Sequence, residues 1–153
     1  AGVAVATALK TLGVRRLDLL SPYDQTLTQA SMAYWISHGF EIGKVQSLQP
    51  SEPGFHAIYT TSSESANSAA QALSASSADA VLMLGTGMPS LKTLLLQRDR
   101  TGPPWLSSML ALMWQSVAAI PNTAPEASDL QTWLTAGHWA QRAQAMGITH
   151  ATT

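Results

Sequence analysis

At 153 residues the chain is long enough for about one domain with a proper core, and it is sparing with charge: 46% of residues are hydrophobic, 11% are charged and the formal net charge is −1. The eight Lys and Arg residues are scattered, which argues against a nucleic-acid binder. No apolar run approaches the ~18 residues of a membrane span, and the lack of cysteine removes disulfides, thiolate metal sites and any Cys nucleophile.

So pale a surface invites burial against something else, and either an oligomer or a missing companion domain is expected. The chain does not begin with Met, and its first six residues read as the interior of an element, so a fragment is expected. No signal peptide is visible, which makes cytoplasm the default compartment.

In chain order, residues 7–12 are helix-compatible, Gly13 suits the position just past a helix end, and Arg15 and Arg16 follow it. Leu17-Asp18-Leu19-Leu20 reads as a short strand leaving through Ser21-Pro22-Tyr23-Asp24, where Ser21 or Asp24 could cap the next helix. That helix carries Leu27, Ala30, Ala33, Tyr34 and Ser37 at helical spacing, with His38 in its last turn and Gly39 after it. Residues 40–45 alternate apolar and polar, as an outer strand would. Residues 49–65, rich in Pro, Gly, Ser and Thr, read as a long loop covering a site, anchored by Phe55, Ile58 and Tyr59. A helix through Ala66, Ala69, Ala70 and Leu73 follows.

The centre of the pattern is residues 79–91. Four bulky apolar residues, Val81, Leu82, Met83 and Leu84, show no alternation and fit a strand covered on both faces. Gly85-Thr86-Gly87 then makes a turn, and Pro89 suits the first turn of a helix carrying Leu91, Leu94 and Leu95. A loop of this kind at the carboxyl end of a parallel strand is where open α/β sheets bind ligands, and N–H groups there favour anions. Gly85 and Gly87 would let backbone approach such a ligand; equally, they could serve only the tight turn.

Gly102-Pro103-Pro104 resets the chain, Trp105-Leu106 reads as another strand ending in Ser107-Ser108, and residues 109–120 are apolar on most faces, as a well-buried helix is. Residues 121–128 read as a linker and 129–146 as one amphipathic helix with Leu130, Trp133, Leu134 and Ala140 inward, although Gly137 interrupts it. Three strand-then-helix steps imply an α/β domain with a mainly parallel sheet; a mixed α+β domain is the other arrangement they permit.

Three stretches carry a resemblance: Gly13-Val14-Arg15-Arg16-Leu17-Asp18-Leu19-Leu20-Ser21-Pro22-Tyr23, residues 79–91, and Pro104-Trp105-Leu106-Ser107-Ser108 through Trp114. Together they resemble the aspartate/glutamate racemase superfamily, with arylmalonate decarboxylase and maleate cis-trans isomerase the nearest in look, over about residues 1–120. The resemblance implies a flavodoxin-like three-layer domain, one half of a two-domain pseudo-symmetric protein with its active site in the cleft between the halves. It implies cofactor-independent chemistry on a small carboxylic acid, held by backbone amides and hydroxyls while cysteines move a proton or attack carbon. On this likeness residues 1–120 are the second domain, and 121–153 are a linker and a helix returning to an absent first domain.

The same likeness places Tyr23 on an active-site tyrosine that donates to a substrate carboxylate, Gly87 on the anion-holding turn with Thr86 replacing a glycine, and Gly85 where the second-domain cysteine is expected. A glycine can be neither proton donor nor nucleophile. The candidate catalytic positions are therefore Tyr23 and Gly85, and the candidate substrate-binding set is Ser21, Pro22, Tyr23, Thr86, Gly87 and Ser107.

Each has a plainer reading. Thr86 could cap the following helix, and Ser107 and Ser108 could be a helix N-cap rather than a cleft wall. His38, His56, His138 and His150 lack metal-site spacing, so no metal is expected, and His38 suits a helix C-terminal partner. Trp35, Trp105, Trp114, Trp133 and Trp139 read as core or interface residues. Glu41, Glu52 and Glu64 form no carboxylate pair. Two functions stand: a decarboxylase or isomerase/racemase-like protein without a cofactor, and an inactive carboxylate-binding module. A scaffold role for the apolar surface is a third.

Overall fold

The computed structural model describes residues 1–48, 57–98, 100–120 and 127–148. A four-stranded sheet is built around β1 (Arg16–Ser21), buried at every position after Arg16. β1 pairs in parallel with β2 (Glu41–Ser47) on one side and β3 (Ala80–Met83) on the other, and β3 pairs in parallel with β4 (Trp105–Ser107). The order β2-β1-β3-β4 is that of a flavodoxin-like α/β sheet.

α1 (Gly2–Thr11) begins five residues earlier than position 7, because Ala4, Val5, Ala6, Ala8 and Leu9 all bury and sustain the first turns. α2 (Gln25–Ser37) connects β1 to β2. α3 (Ala57–Thr60), α4 (Ser63–Ala70) and a 3₁₀ turn (Gln71–Leu73) connect β2 to β3, and α5 (Leu91–Gln97) connects β3 to β4. Right-handed crossovers put α2 on one face and α4 and α5 on the other. α4 packs on α5, and α1 on α6 (Ser108–Ala119).

Several expectations change. α2 is capped by Asp24, whose carboxylate accepts from Leu27 N–H at 2.8 Å, and it buries Thr28 and Trp35. Leu27 and Tyr34 face outward instead, since Trp35 packs edge-on to Phe40 and Thr28 bonds to Ser21, which together set the helix rotation. The long loop is shorter than residues 49–65, because α3 and the start of α4 fall within it; Phe55, His56 and Glu52 lie outside the described residues, as does His150. α5 starts at Leu91, so Pro89 precedes the helix.

α6 is not buried all round. Leu110, Ala111 and Trp114 face the core, while Met109, Leu112, Met113, Val117 and Ile120 are exposed. The C-terminal helix is two helices, α7 (Ala127–Ala136) and α8 (His138–Ala145), parted at Gly137 in extended backbone. The Trp139 indole N–H reaches back to the Trp133 carbonyl at 2.7 Å and fixes this corner. Leu130 and Leu134 join the main core, and Ala140 and Ala143 pack on Leu95, so both helices bury apolar residues on this domain. Trp35, Trp105 and Trp114 are buried, with Trp133 and Trp139 packed against the core.

Two carboxylate arrangements, one exposed and one buried, organise the strands. Asp79, just before β3, accepts the backbone N–H groups of Arg15 and Arg16 at 2.9 Å each, tying the start of β1 to β3. Asp18, 2% exposed within β1, accepts the Lys44 N–H at 2.6 Å and the Ser76 hydroxyl at 2.7 Å. The Lys44 bond exists because β2 bulges: Leu17 is opposite Ile42 and Leu19 opposite Val45, so Gly43 and Lys44 together face Asp18. A β-carbon at Gly43 would collide with the Asp18 carboxylate, which is why this position is glycine.

Candidate functional site

The parallel register places Leu20 beside Met83 and Met83 beside Ser107, so the carboxyl ends of β1, β3 and β4 lie side by side. The loop Ser21-Pro22-Tyr23 therefore adjoins the turn Gly85-Thr86-Gly87. Leu84 N–H donates to Leu20 O at 2.9 Å, and the Pro22 ring lies 3.0 Å from where a β-carbon on Gly85 would stand.

The first loop is held by a closed ring of hydrogen bonds. Tyr23 N–H donates to Ser21 Oγ at 3.3 Å, Ser21 Oγ and Thr28 Oγ1 are 2.7 Å apart, and the Thr28 hydroxyl donates to Tyr23 O at 3.3 Å. With Thr28 donating to the carbonyl, Ser21 is left to donate to Thr28. Ser21 is fully buried and Pro22 buried, so both shape the loop beneath the surface. Tyr23 is half-buried against the core, and its hydroxyl has no partner among the described residues. Burial raises its pKa above 10.0, so the phenol keeps its proton and remains a donor at neutral pH.

The second loop is a tight turn with Gly85 at φ +82°, a left-handed conformation that favours glycine. Met88 N–H donates to Gly85 O at 3.3 Å. Between Leu84 and Met88, the N–H groups of Gly85, Thr86 and Gly87 have no acceptor among the described residues, and Thr86 and Gly87 are exposed. Because α5 begins four residues after Gly87, the donors here are the turn's own amides rather than a helix end, and Thr86 does not cap α5. Ser107 does take its plainer reading: it caps α6, accepting from Leu110 N–H at 3.1 Å, and is 2% exposed.

α3 covers the turn. Ile58 Cδ1 lies 2.5 Å, and Ile58 Cγ1 3.4 Å, from where a β-carbon on Gly85 would stand, and Tyr59 Cε1 lies 3.4 Å from that point on Gly87. The sequence marked Ile58 and Tyr59 only as loop anchors, and it gave no sign of Thr28, whose role depends on how α2 is rotated. His38 caps α2, its Nδ1 2.8 Å from Tyr34 O. No group of three His, Cys, Asp or Glu among the described residues is placed to hold a metal ion. No described helix is long and apolar enough to cross a membrane.

This arrangement of amides and a free phenol at adjoining strand ends accompanies a clear family match: residues 1–131 fit the family model of arylmalonate decarboxylase. The chain belongs to the arylmalonate decarboxylase family. Its fold is shared with arylmalonate decarboxylase itself, at 24% identity and TM-score 0.65 over 79% of this chain and 53% of that one. It is also similar to a maleate cis-trans isomerase of Nocardia farcinica, a C194S mutant with a covalently bound succinylcysteine intermediate, at 25% identity and TM-score 0.67 over 77% and 48%. The maleate isomerase Iso(C200A) of Pseudomonas putida S16, solved with maleate, matches at 22% identity and TM-score 0.70 over 87% and 52%. The chain thus spans about half the length of these structures, as expected for one half of a two-domain protein. No curated protein matches it.

Proposed function

We propose that this chain is the carboxylate-gripping half of a decarboxylase or isomerase/racemase-like protein that works on a small carboxylic acid without a cofactor. The observation that carries the reading is that two adjoining loops each offer unpaired donors among the described residues: the N–H groups of Gly85, Thr86 and Gly87 on one, and the hydroxyl of Tyr23 on the other. Fixed donors of this kind hold a carboxylate and stabilise the enediolate that forms when a proton or CO₂ leaves the adjacent carbon.

In this scheme the substrate carboxylate sits on the 85–87 amides and Tyr23 donates to one of its oxygens. The Ser21–Thr28 pair positions Tyr23 and does not touch substrate. Similar structures are an arylmalonate decarboxylase and a maleate isomerase solved with maleate, which makes a dicarboxylic or arylmalonic-type acid the substrate class to test. The proton donor for the carbon is the part this chain does not supply: Gly85 has no side chain, and Ile58 fills the space one would occupy. The donor would come from a first domain.

The same observation favours a second reading, in which the chain binds a carboxylate and catalyses nothing. The two are separated by measuring malonate, phenylmalonate and maleate binding by calorimetry alongside CO₂ release and cis-trans conversion, with a first domain of the family supplied together with the chain. Binding that weakens in Tyr23→Phe supports the grip. Turnover selects the enzyme, and binding without turnover selects the module. Absence of binding by any of these acids overturns both.

A further inference from the structure

A cavity of about 520 Å³ lies in a groove between α5, α6 and α8, and its lining also includes Ser90, just past the glycine turn, and Ser107 at the end of β4. Its volume is within the range of small-molecule sites, and its walls are almost wholly apolar. Leu94 of α5, Met109 and Met113 of α6, and Trp139 and Met146 from the C-terminal segment are among the lining residues. Met109, Met113 and Met146 are exposed at 39%, 45% and 72%, so the groove is open to solvent. Unbranched thioether side chains adapt to flexible apolar ligands of varying shape.

The one charge among the lining residues is Arg142 of α8. Its guanidinium has neither an ion-pair nor a hydrogen-bond partner among the described residues. A purely apolar occupant would gain nothing from that cation, and a polar anion would gain nothing from the methionines. The geometry points to an amphipathic anion: an alkyl or arylalkyl carboxylate whose tail lies along the Met109–Met113 wall while its carboxylate meets Arg142. The groove shares no lining residue with the 85–87 turn, where a carboxylate would be held through backbone amides.

The test is titration of the chain with decanoate below its micellar range, with decanol as the uncharged control, followed by calorimetry and light scattering. Decanoate should bind saturably, Arg142→Gln should weaken it about tenfold while leaving decanol unchanged, and Met113→Asp should abolish both. Both substitutions are at exposed positions and leave the fold intact by circular dichroism. Excess malonate should not displace decanoate, whatever becomes of malonate binding at the turn. Absence of saturable decanoate binding, or binding indifferent to Arg142→Gln, overturns the assignment. So does self-association that Met113→Asp removes, since a second copy would then be the occupant.

Discussion

Ile58 and Gly85 share one volume: the Ile58 Cδ1 methyl stands 2.5 Å from the point where a β-carbon at position 85 would be. The glycine is therefore required twice, by its φ of +82° and by its neighbour. Gly85→Ala is expected to destabilise by about 1–2 kcal/mol for the left-handed backbone, with about 1–3 kcal/mol more for the clash. Urea denaturation measures the sum. In an Ile58→Ala background most of the clash component should vanish, leaving the Pro22 contact at 3.0 Å and the backbone component. For the same reason, Gly85→Cys alone should give a thiol slow to alkylate, and Gly85→Cys with Ile58→Ala a faster one.

Tyr23→Phe removes one donor and little volume. Carboxylate binding should weaken about tenfold, as for loss of a hydrogen bond to a charged group, with a melting curve close to the parent's. Since burial raises the Tyr23 pKa, binding by the parent chain should not titrate through this group between pH 6 and 9, and should fall only as the pH rises above 10.0 and the phenol ionises. The stabilising effect of the neutral phenol follows the same sign: present below 10.0 and lost as the pH climbs through the folded value. Calorimetry across pH in Tyr23→Phe, which lacks the high-pH fall, isolates the contribution.

The ring joining Ser21, Tyr23 and Thr28 is buried, so breaking it strands a polar group. Ser21→Ala and Thr28→Val should each cost about 1–2 kcal/mol, and the double variant less than their sum. Ser21→Ala should also weaken carboxylate binding by loosening the Tyr23 loop, an effect absent from a Tyr23→Phe background.

Asp79 accepts two backbone N–H bonds, from Arg16 and Arg15, which hold its pKa below 3.8. A depressed folded pKa gives stability that is present above the unfolded value and is lost as pH falls through the folded one. Asp79→Asn should cost about 1 kcal/mol at pH 7, and the gap from the parent should close as the pH is taken well below 3.8. Denaturation midpoints at pH 7, 4 and 2 check it.

Gln97 is 4% exposed, and its Nε2 has no partner among the described residues. Gln97→Met keeps the shape and removes the stranded donor, so it should be neutral or stabilising by up to about 1 kcal/mol. A thermal melt decides it.

What the sequence revealed was the part governed by local pattern. The unbroken apolar run ending at Leu84 marked β3, and the Pro22 and Gly85 breaks marked where β1 and β3 end. Those two signals suffice to bring the Tyr23 loop to the glycine turn once the strands pair in parallel. Helix faces were less legible, because the rotation of α2 is set by Trp35 meeting Phe40 and by Thr28 meeting Ser21, contacts between distant or differently oriented segments. In α6 the apolar residues outnumber those the core can take, so composition suggested burial that Met109, Met113 and Val117 do not have. Ile58 over Gly85 is a meeting of residues far apart in the chain, and no local pattern encodes it.

The bulge at Asp18 also bears on how the protein avoids joining others of its kind. β2 is one of the two edge strands of the described sheet, a natural template for an intruding chain. Its two-against-one pairing at Gly43 and Lys44 twists the free rim, and a carboxylate occupying the space over Gly43 forbids the strand from sliding by one residue to present a straighter rim. Loss of Asp18 would therefore be expected to show first as fibril-prone material rather than as a lower melting point.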